Sequence, residues 1–217
     1  MLGAHDVELG VVGTFVLNVA IFGLLIVGLW RIEQRIDKGQ TLIALALLAV
    51  VGIIGRIVFN PLPNISPVTI LILLAGAHYG VRHGVVLATV ITVGSNMVLG
   101  HGIWTFYQAV GWSLVACLGA YLSMWLVNSQ DKLNLNRLMV LGFVSAFVFD
   151  WFVSLSVLHT QPMSYLTPYL VQGLMYDLVH AFGNLVFAAW LGVPVSDILK
   201  RHYSFNLEAP MNVQLPA

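Results

Sequence analysis

Arg56, Asp150, Asp177 and His180 each stand inside a long apolar run of this sequence. An ionisable side chain at the centre of a bilayer costs at least about 2.5–3.5 kcal/mol, so such groups face protein or a watery cavity. Asp177, His180 and Asn184 are spaced i, i+3, i+7 and share one helix face, with Gly173 a turn earlier. Thr89, Thr92 and Asn96 form a similar stripe, and Gln108 and Trp112 stand four residues apart. Such stripes can line a central cavity, open outward, that captures a small molecule by hydrogen bonding. In that reading Arg56 balances Asp150 or Asp177, or contacts a substrate oxygen. The same groups can also serve only as interhelical hydrogen bonds or a buried ion pair. For Thr89, Thr92 and Ser154 that structural role is the expectation.

Enzyme motifs are scarce. There is no Walker A sequence, no HExxH, and no pair of acidic metal ligands at a useful spacing. Gly94-Ser95-Asn96 offers a serine nucleophile with His180 as a base, a pattern that any two spans of a polytopic protein readily produce. Gly76, Gly80 and Gly84 suit close helix approach.

The elements that carry these residues follow from composition. Of 217 residues, 59% are hydrophobic and 8% charged, against roughly 25% charged in a soluble domain. Nine Lys/Arg and nine Asp/Glu cannot cover the surface of a soluble fold of this size. Mean hydropathy is +0.91. A cytosolic enzyme, a secreted disulfide scaffold and a nucleic-acid binder are excluded, the last also by zero net charge and no basic patch. The single cysteine, Cys117, lies in an apolar run and implies neither a disulfide nor a metal cluster. Residues 1–10 carry Asp6 and Glu8 without Lys or Arg, unlike the basic start of a cleavable signal.

About 20 apolar residues span the hydrocarbon. The sequence predicts an all-α membrane protein with seven spans, at residues 11–30, 41–59, 68–79, 83–99, 107–127, 138–158 and 165–191. The third is short, and either tilts or begins inside the preceding Pro-rich loop. With the N-terminus outside, eight of the nine cationic residues fall in inner loops or the C-terminal tail. These are Arg31, Arg35, Lys38, Arg82, Lys132, Arg137, Lys200 and Arg201, as the positive-inside rule requires. The outer loops NPLPNISP, GHGIWTFY and HTQPMSYLTP hold Pro, Asn, His and aromatics but no Lys or Arg. They suit a neutral or mixed-polarity ligand, although Trp104 and Tyr165 also fit an ordinary interfacial aromatic belt.

The stretch GRIVFNPLPNISPVTILILLAGAHYGVRHG, followed by SNMVLGHGIWTFYQAVGWSL, resembles the substrate-binding S component of energy-coupling factor (ECF) vitamin transporters. The resemblance covers residues 41 to about 191. It implies a six-helix bundle with cytoplasmic termini that grips one vitamin through its outer loops, with no cofactor and no chemistry of its own. The implied partners are a membrane-embedded T subunit and two cytoplasmic ATPases in the cell membrane. By position, Arg56, Asn60 and Asn64 fall at the first substrate loop, His101, Trp104, Tyr107 and Gln108 at the second, and His159 to Tyr165 at the third. The motifs Arg-x3-Asn-Pro-x-Pro-Asn and Gly-x-Gly-x-Trp-Thr-x-x-Gln look most like the cobalamin-type members, which implies a corrinoid. A queuosine precursor or pantothenate would fit the same loops, and His101 and His159 are the histidines placed to meet cobalt.

The sequence departs from the family in two places. Residues 1–40 add a first transmembrane helix and linker outside the core at 41–192, which is followed by a cytoplasmic tail, 193–217. The family's Ala-x-x-x-Ala docking patch is not reproduced. Ala44, Ala46 and Ala49 are small and crowded but differently spaced, and Ala46 with Ala49 makes the candidate close-contact face. The rival from another class is a membrane enzyme using Asp177, His180 and Ser95 on a lipid or peptide bond. A stand-alone secondary transporter would show repeated halves, and none is convincing here.

Overall fold

The computed structural model describes residues 40–128 and 132–204. The expected first span, its cations Arg31, Arg35 and Lys38, and the tail beyond 204 lie outside the described residues. What is described is helical, with one isolated bridge between Val127 and Leu133. The helices are α1 (Gln40–Val58), α2 (Val68–Leu99), α3 (Ile103–Tyr121), a short α4 (Ser123–Leu126), α5 (Leu135–Ser154) and α6 (Leu166–Ser204). Two 3-10 turns, Leu155–His159 and Met163–Tyr165, join α5 to α6. Five segments are long and apolar enough to cross a membrane.

The packing matches a lipid-facing bundle. On α1, Leu42, Ile43, Leu47, Val50, Val51, Ile54 and Val58 are exposed, while Ala44, Leu45, Leu48, Ala49 and Gly52 are buried. That division repeats with helical period and leaves a continuous apolar stripe that water would not tolerate. Of the three candidate docking alanines, Ala46 is exposed, whereas Ala44 and Ala49 are packed into the core.

The 32 residues of α2 are not one rod. Gly80 has φ 80° and ψ 176°, outside helical space, and only glycine adopts it without strain. The chain doubles back there. A Cβ on Gly84 would lie 3.2 Å from the Cα of Gly76, although eight residues of continuous helix would separate them by about 12 Å. The expected spans 68–79 and 83–99 are the two arms of this hairpin. Gly76, Gly84 and Gly119 give them close passage past α3: added Cβ atoms would meet the Ala116 carbonyl, the Ala116 side chain and the Leu73 carbonyl respectively.

Other boundaries move. The helix expected over 107–127 starts at Ile103 and stops at Tyr121, so Trp104 and Tyr107 sit in its first turns. The connection between α2 and α3 shrinks to residues 100–102, where Gly102 makes room for the Trp104 ring to fold back. The helix expected over 138–158 becomes α5 plus a 3-10 turn. α6 runs past residue 191, through Pro194, to Ser204, about 58 Å at 1.5 Å per residue. Its last turns are pinned to the hairpin bend: Tyr79 donates to the Leu199 carbonyl at 3.0 Å, and His78 meets Ser196 at 2.8 Å. Arg82, Lys200 and Arg201 therefore share one end of the bundle.

Candidate functional site

The opposite end carries a hydrogen-bonded network built by six helical arms. Arg56, in the last turn of α1, donates through Nη1 to Ser95 Oγ and Asn96 Oδ1, both at 2.7 Å. Both acceptors lie near the end of the second α2 arm. Gly52 and Gly94 allow this, since each faces an isoleucine of the other helix, Ile91 and Ile53, with no Cβ between. Asn96 Nδ2 donates to Thr105 Oγ1 at 2.8 Å and Gln108 Oε1 at 2.9 Å, both on α3. Arg56 also lies over the Trp112 ring, 4.9 Å from its centroid, a cation–π contact.

Trp112 carries the network inward. Its other face stacks on Phe149 of α5 at 4.3 Å, and its Nε1 donates to Thr69 Oγ1 on the first α2 arm at 3.3 Å. Thr69 meets His180 Nε2 at 3.0 Å, and His180 Nδ1 meets Asp150 Oδ2 at 2.9 Å. The directions follow from the donors. The indole N–H can only donate, so the Thr69 hydroxyl accepts there, and its proton has His180 Nε2 as its acceptor among the described residues. His180 Nδ1 faces the Asp150 carboxylate and donates to it. Asp177 lies beside this pair and accepts from Trp151 Nε1 at 3.0 Å.

The expected balance of Arg56 by Asp150 or Asp177 is not formed. Among the described residues, Asp150 pairs with His180, Asp177 with Trp151, and no carboxylate lies within ion-pair distance of Arg56. Arg56 instead meets the Trp112 ring, which stacks on Phe149. Ser95 is not beside His180 either, since it donates to the Ile91 and Thr92 carbonyls and accepts from Arg56. The hydroxyl that does align with His180 and Asp150 is Thr69, at 0% exposure, beneath Trp112. A substrate carbonyl has no approach to it in this conformation.

Other expected residues take local places. Thr89 and Thr92 bond carbonyls of their own helix, those of Val85 and Ala88. Asn184 donates to the Gly142 carbonyl at 2.9 Å, tying α6 to α5, and its Oδ1 is buried without a partner among the described residues. Gly173 lies next to Asp177. Asn60 and Asn64 are exposed in residues 59–67, with Asn64 at φ 56°, and join no side-chain bond among the described residues. His101 Nδ1 lies 3.4 Å from Thr105 Oγ1, and burial pushes this imidazole below its ordinary 6.5. Tyr107 and His159 meet across the rim at 3.0 Å, while Tyr165 packs against Tyr169. No group of three or more His, Cys, Asp or Glu able to hold a metal occurs among the described residues.

Thr69, Thr105, Phe149 and Trp151 were not singled out from sequence. Trp151, adjacent to Asp150, carried the one available signal: an indole donor beside a carboxylate in an apolar run. Comparison with known proteins is silent: no family model, no curated protein and no solved structure matches this chain.

Proposed function

We propose that this chain is the substrate-capturing S component of an ECF-type vitamin importer, and that its cargo is a corrinoid. It crosses the cell membrane seven times, N-terminus outside, and delivers to a T subunit energised by two cytoplasmic ATPases. The observation that carries the reading is the polar network around Arg56. It draws on α1, both arms of α2, α3, α5 and α6 at the end opposite Arg82, Lys200 and Arg201. A bundle held only by lipid-facing packing needs no guanidinium there. The loop motifs that resemble cobalamin-type S components flank this same end, and its rim is aromatic and amide-bearing: Trp104, Tyr107, Gln108 and His159.

The test is calorimetric titration of the detergent-purified full chain with a vitamin panel, cobalamin first. One-to-one saturable binding of a corrinoid is the expected result. Tight binding of pantothenate or a queuosine precursor instead would keep the carrier and replace its cargo. A folded, monodisperse preparation that binds nothing on the panel would refute the proposal.

A further inference from the structure

Hydrogen-bond directions decide which groups of the network are left over. A guanidinium only donates, so the Asn96 atom 2.7 Å from Arg56 is the carboxamide oxygen. Its nitrogen must then donate, and Gln108 must accept through Oε1 at 2.9 Å. That leaves the Gln108 Nε2 amine turned away from Asn96. Neither this amine nor Arg56 Nε and Nη2 has an acceptor among the described residues, and none of these nitrogens is sealed from accessible surface. Among the described residues, the two acids of this layer meet other partners, Asp150 with His180 and Asp177 with Trp151. Around Arg56 itself the spare capacity is therefore donor capacity, and among the described residues no carboxylate pairs with its charge.

We infer that Arg56 and Gln108 together receive an anionic oxygen group of the cargo, a carboxylate or a phosphate ester. The guanidinium edge offers parallel N–H groups that match two oxygens of such an anion, and the Gln108 amine adds a further donor. The inference rests on the capture reading and narrows it. A corrinoid's amide fringe does not call for a cation, whereas the phosphodiester of cobalamin's nucleotide loop does. Cobinamide has the same ring without that phosphodiester.

The experiment titrates the full chain in detergent with cobalamin and with cobinamide. Wild type should bind cobalamin at least about tenfold more tightly, the scale of hydrogen bonds to a charged group. Arg56→Gln should lose far more affinity for cobalamin than for cobinamide, bringing the two close together, and Arg56→Lys should restore part of the difference. Gln108→Met, which leaves the Arg56–Asn96 bond in place, should narrow the preference and provides a second reading if Arg56→Gln does not fold. Equal wild-type affinities for the two corrinoids would overturn the inference and leave the capture reading standing. Binding of neither corrinoid would overturn the inference and the corrinoid cargo together, and the vitamin panel then decides the capture reading. Anionic lipid offers the same oxygens, so thermal unfolding is compared in phosphatidylglycerol and phosphatidylcholine nanodiscs. A phosphatidylglycerol-specific stabilisation that Arg56→Gln abolishes, with no preference for cobalamin, would place a lipid phosphate there and overturn the assignment to cargo.

Discussion

The contact between Asp150 and His180 joins α5 to α6 at 2.9 Å, with the two residues 8% and 3% exposed. Its strength is measurable by a double-mutant cycle of Asp150→Leu and His180→Phe. Asp150→Leu strands the His180 Nδ1–H, and His180→Phe strands the Asp150 oxygen. A buried group left unsatisfied costs about 1–3 kcal/mol, more if charged. The Thr69 hydroxyl, which His180→Phe also releases, can turn to a carbonyl of its own helix, so its share is small. Replacing both partners removes both orphans, and apolar replacement of a buried pair is often neutral or better. Coupling averages about 0.6 kcal/mol for interhelical hydrogen bonds in membranes and reaches about 1.7. This pair belongs at the upper end, because both partners are walled in by protein and Phe149 lies edge-on to the imidazole at 5.7 Å. The expected coupling is therefore about 1.5 kcal/mol, read from reversible unfolding in mixed micelles by tryptophan fluorescence. Additivity within about 0.5 kcal/mol would refute the account of the network as mutually dependent.

Gly76→Ala drives a methyl group against the Ala116 carbonyl, a backbone atom that cannot rotate aside. The expected loss is about 1–3 kcal/mol, measured in the same unfolding assay, and an unchanged midpoint would contradict the close approach of α2 and α3. Gly80→Ala places a side chain at φ 80°, ψ 176° and should destabilise by about 1–3 kcal/mol without altering helix content by circular dichroism. For His101, burial lowers the folded-state value below the ordinary 6.5. Its contribution is present above 6.5 and is lost as pH falls through the lowered folded value. Thermal stability should therefore drop between pH 7.5 and pH 5, and His101→Gln should flatten that slope. Tyr107→Phe removes the bond to His159 across the rim; faster cargo release in stopped-flow, with little change in stability, is the expected outcome.

The elements were more legible in the sequence than the contacts. Long apolar runs broken by Pro, Gly and charge place α1, α5 and the start of α6 within a few residues, because hydrophobic length alone sets a span, whereas α6 runs past its expected end at residue 191 to Ser204. The hairpin at Gly80 was legible as two short spans with YGVR between them, since Arg82 marks an end. The start of α3 was not, because Trp104 and Tyr107 read as interfacial loop residues when their neighbours are glycines. At the site, helical spacing grouped Asp177 with His180 and Asn184 on one face, yet that face divides among partners: Trp151, then Thr69 and Asp150, then Gly142. Spacing shows which residues look the same way; it does not show what stands opposite. The pairing of Asp150 with His180 and the absence of a carboxylate from Arg56 depend on rotation and depth across helices, which one sequence does not encode visibly.

Two kinds of polar residue occupy the same apolar layer, and the difference between them argues against simple glue. Thr89, Thr92 and Ser113 return their hydroxyls to carbonyls four residues back, at 2.7–2.8 Å, and need no neighbour. Arg56, Asn96, Thr69, His180 and Asp150 find their partners across helices. A chain selected only to pack could have used the first device throughout, at no risk of an orphaned group. The second holds six arms in one register, and any arm that shifts strands a donor or acceptor of another. That dependence positions Arg56: Asn96 and Ser95 fix one edge of the guanidinium, Trp112 covers its face, and the remaining edge keeps donors with no acceptor among the described residues. A cation held along one edge and one face, with no carboxylate partner among the described residues, is a poor structural strut in a membrane and suits the anion proposed above.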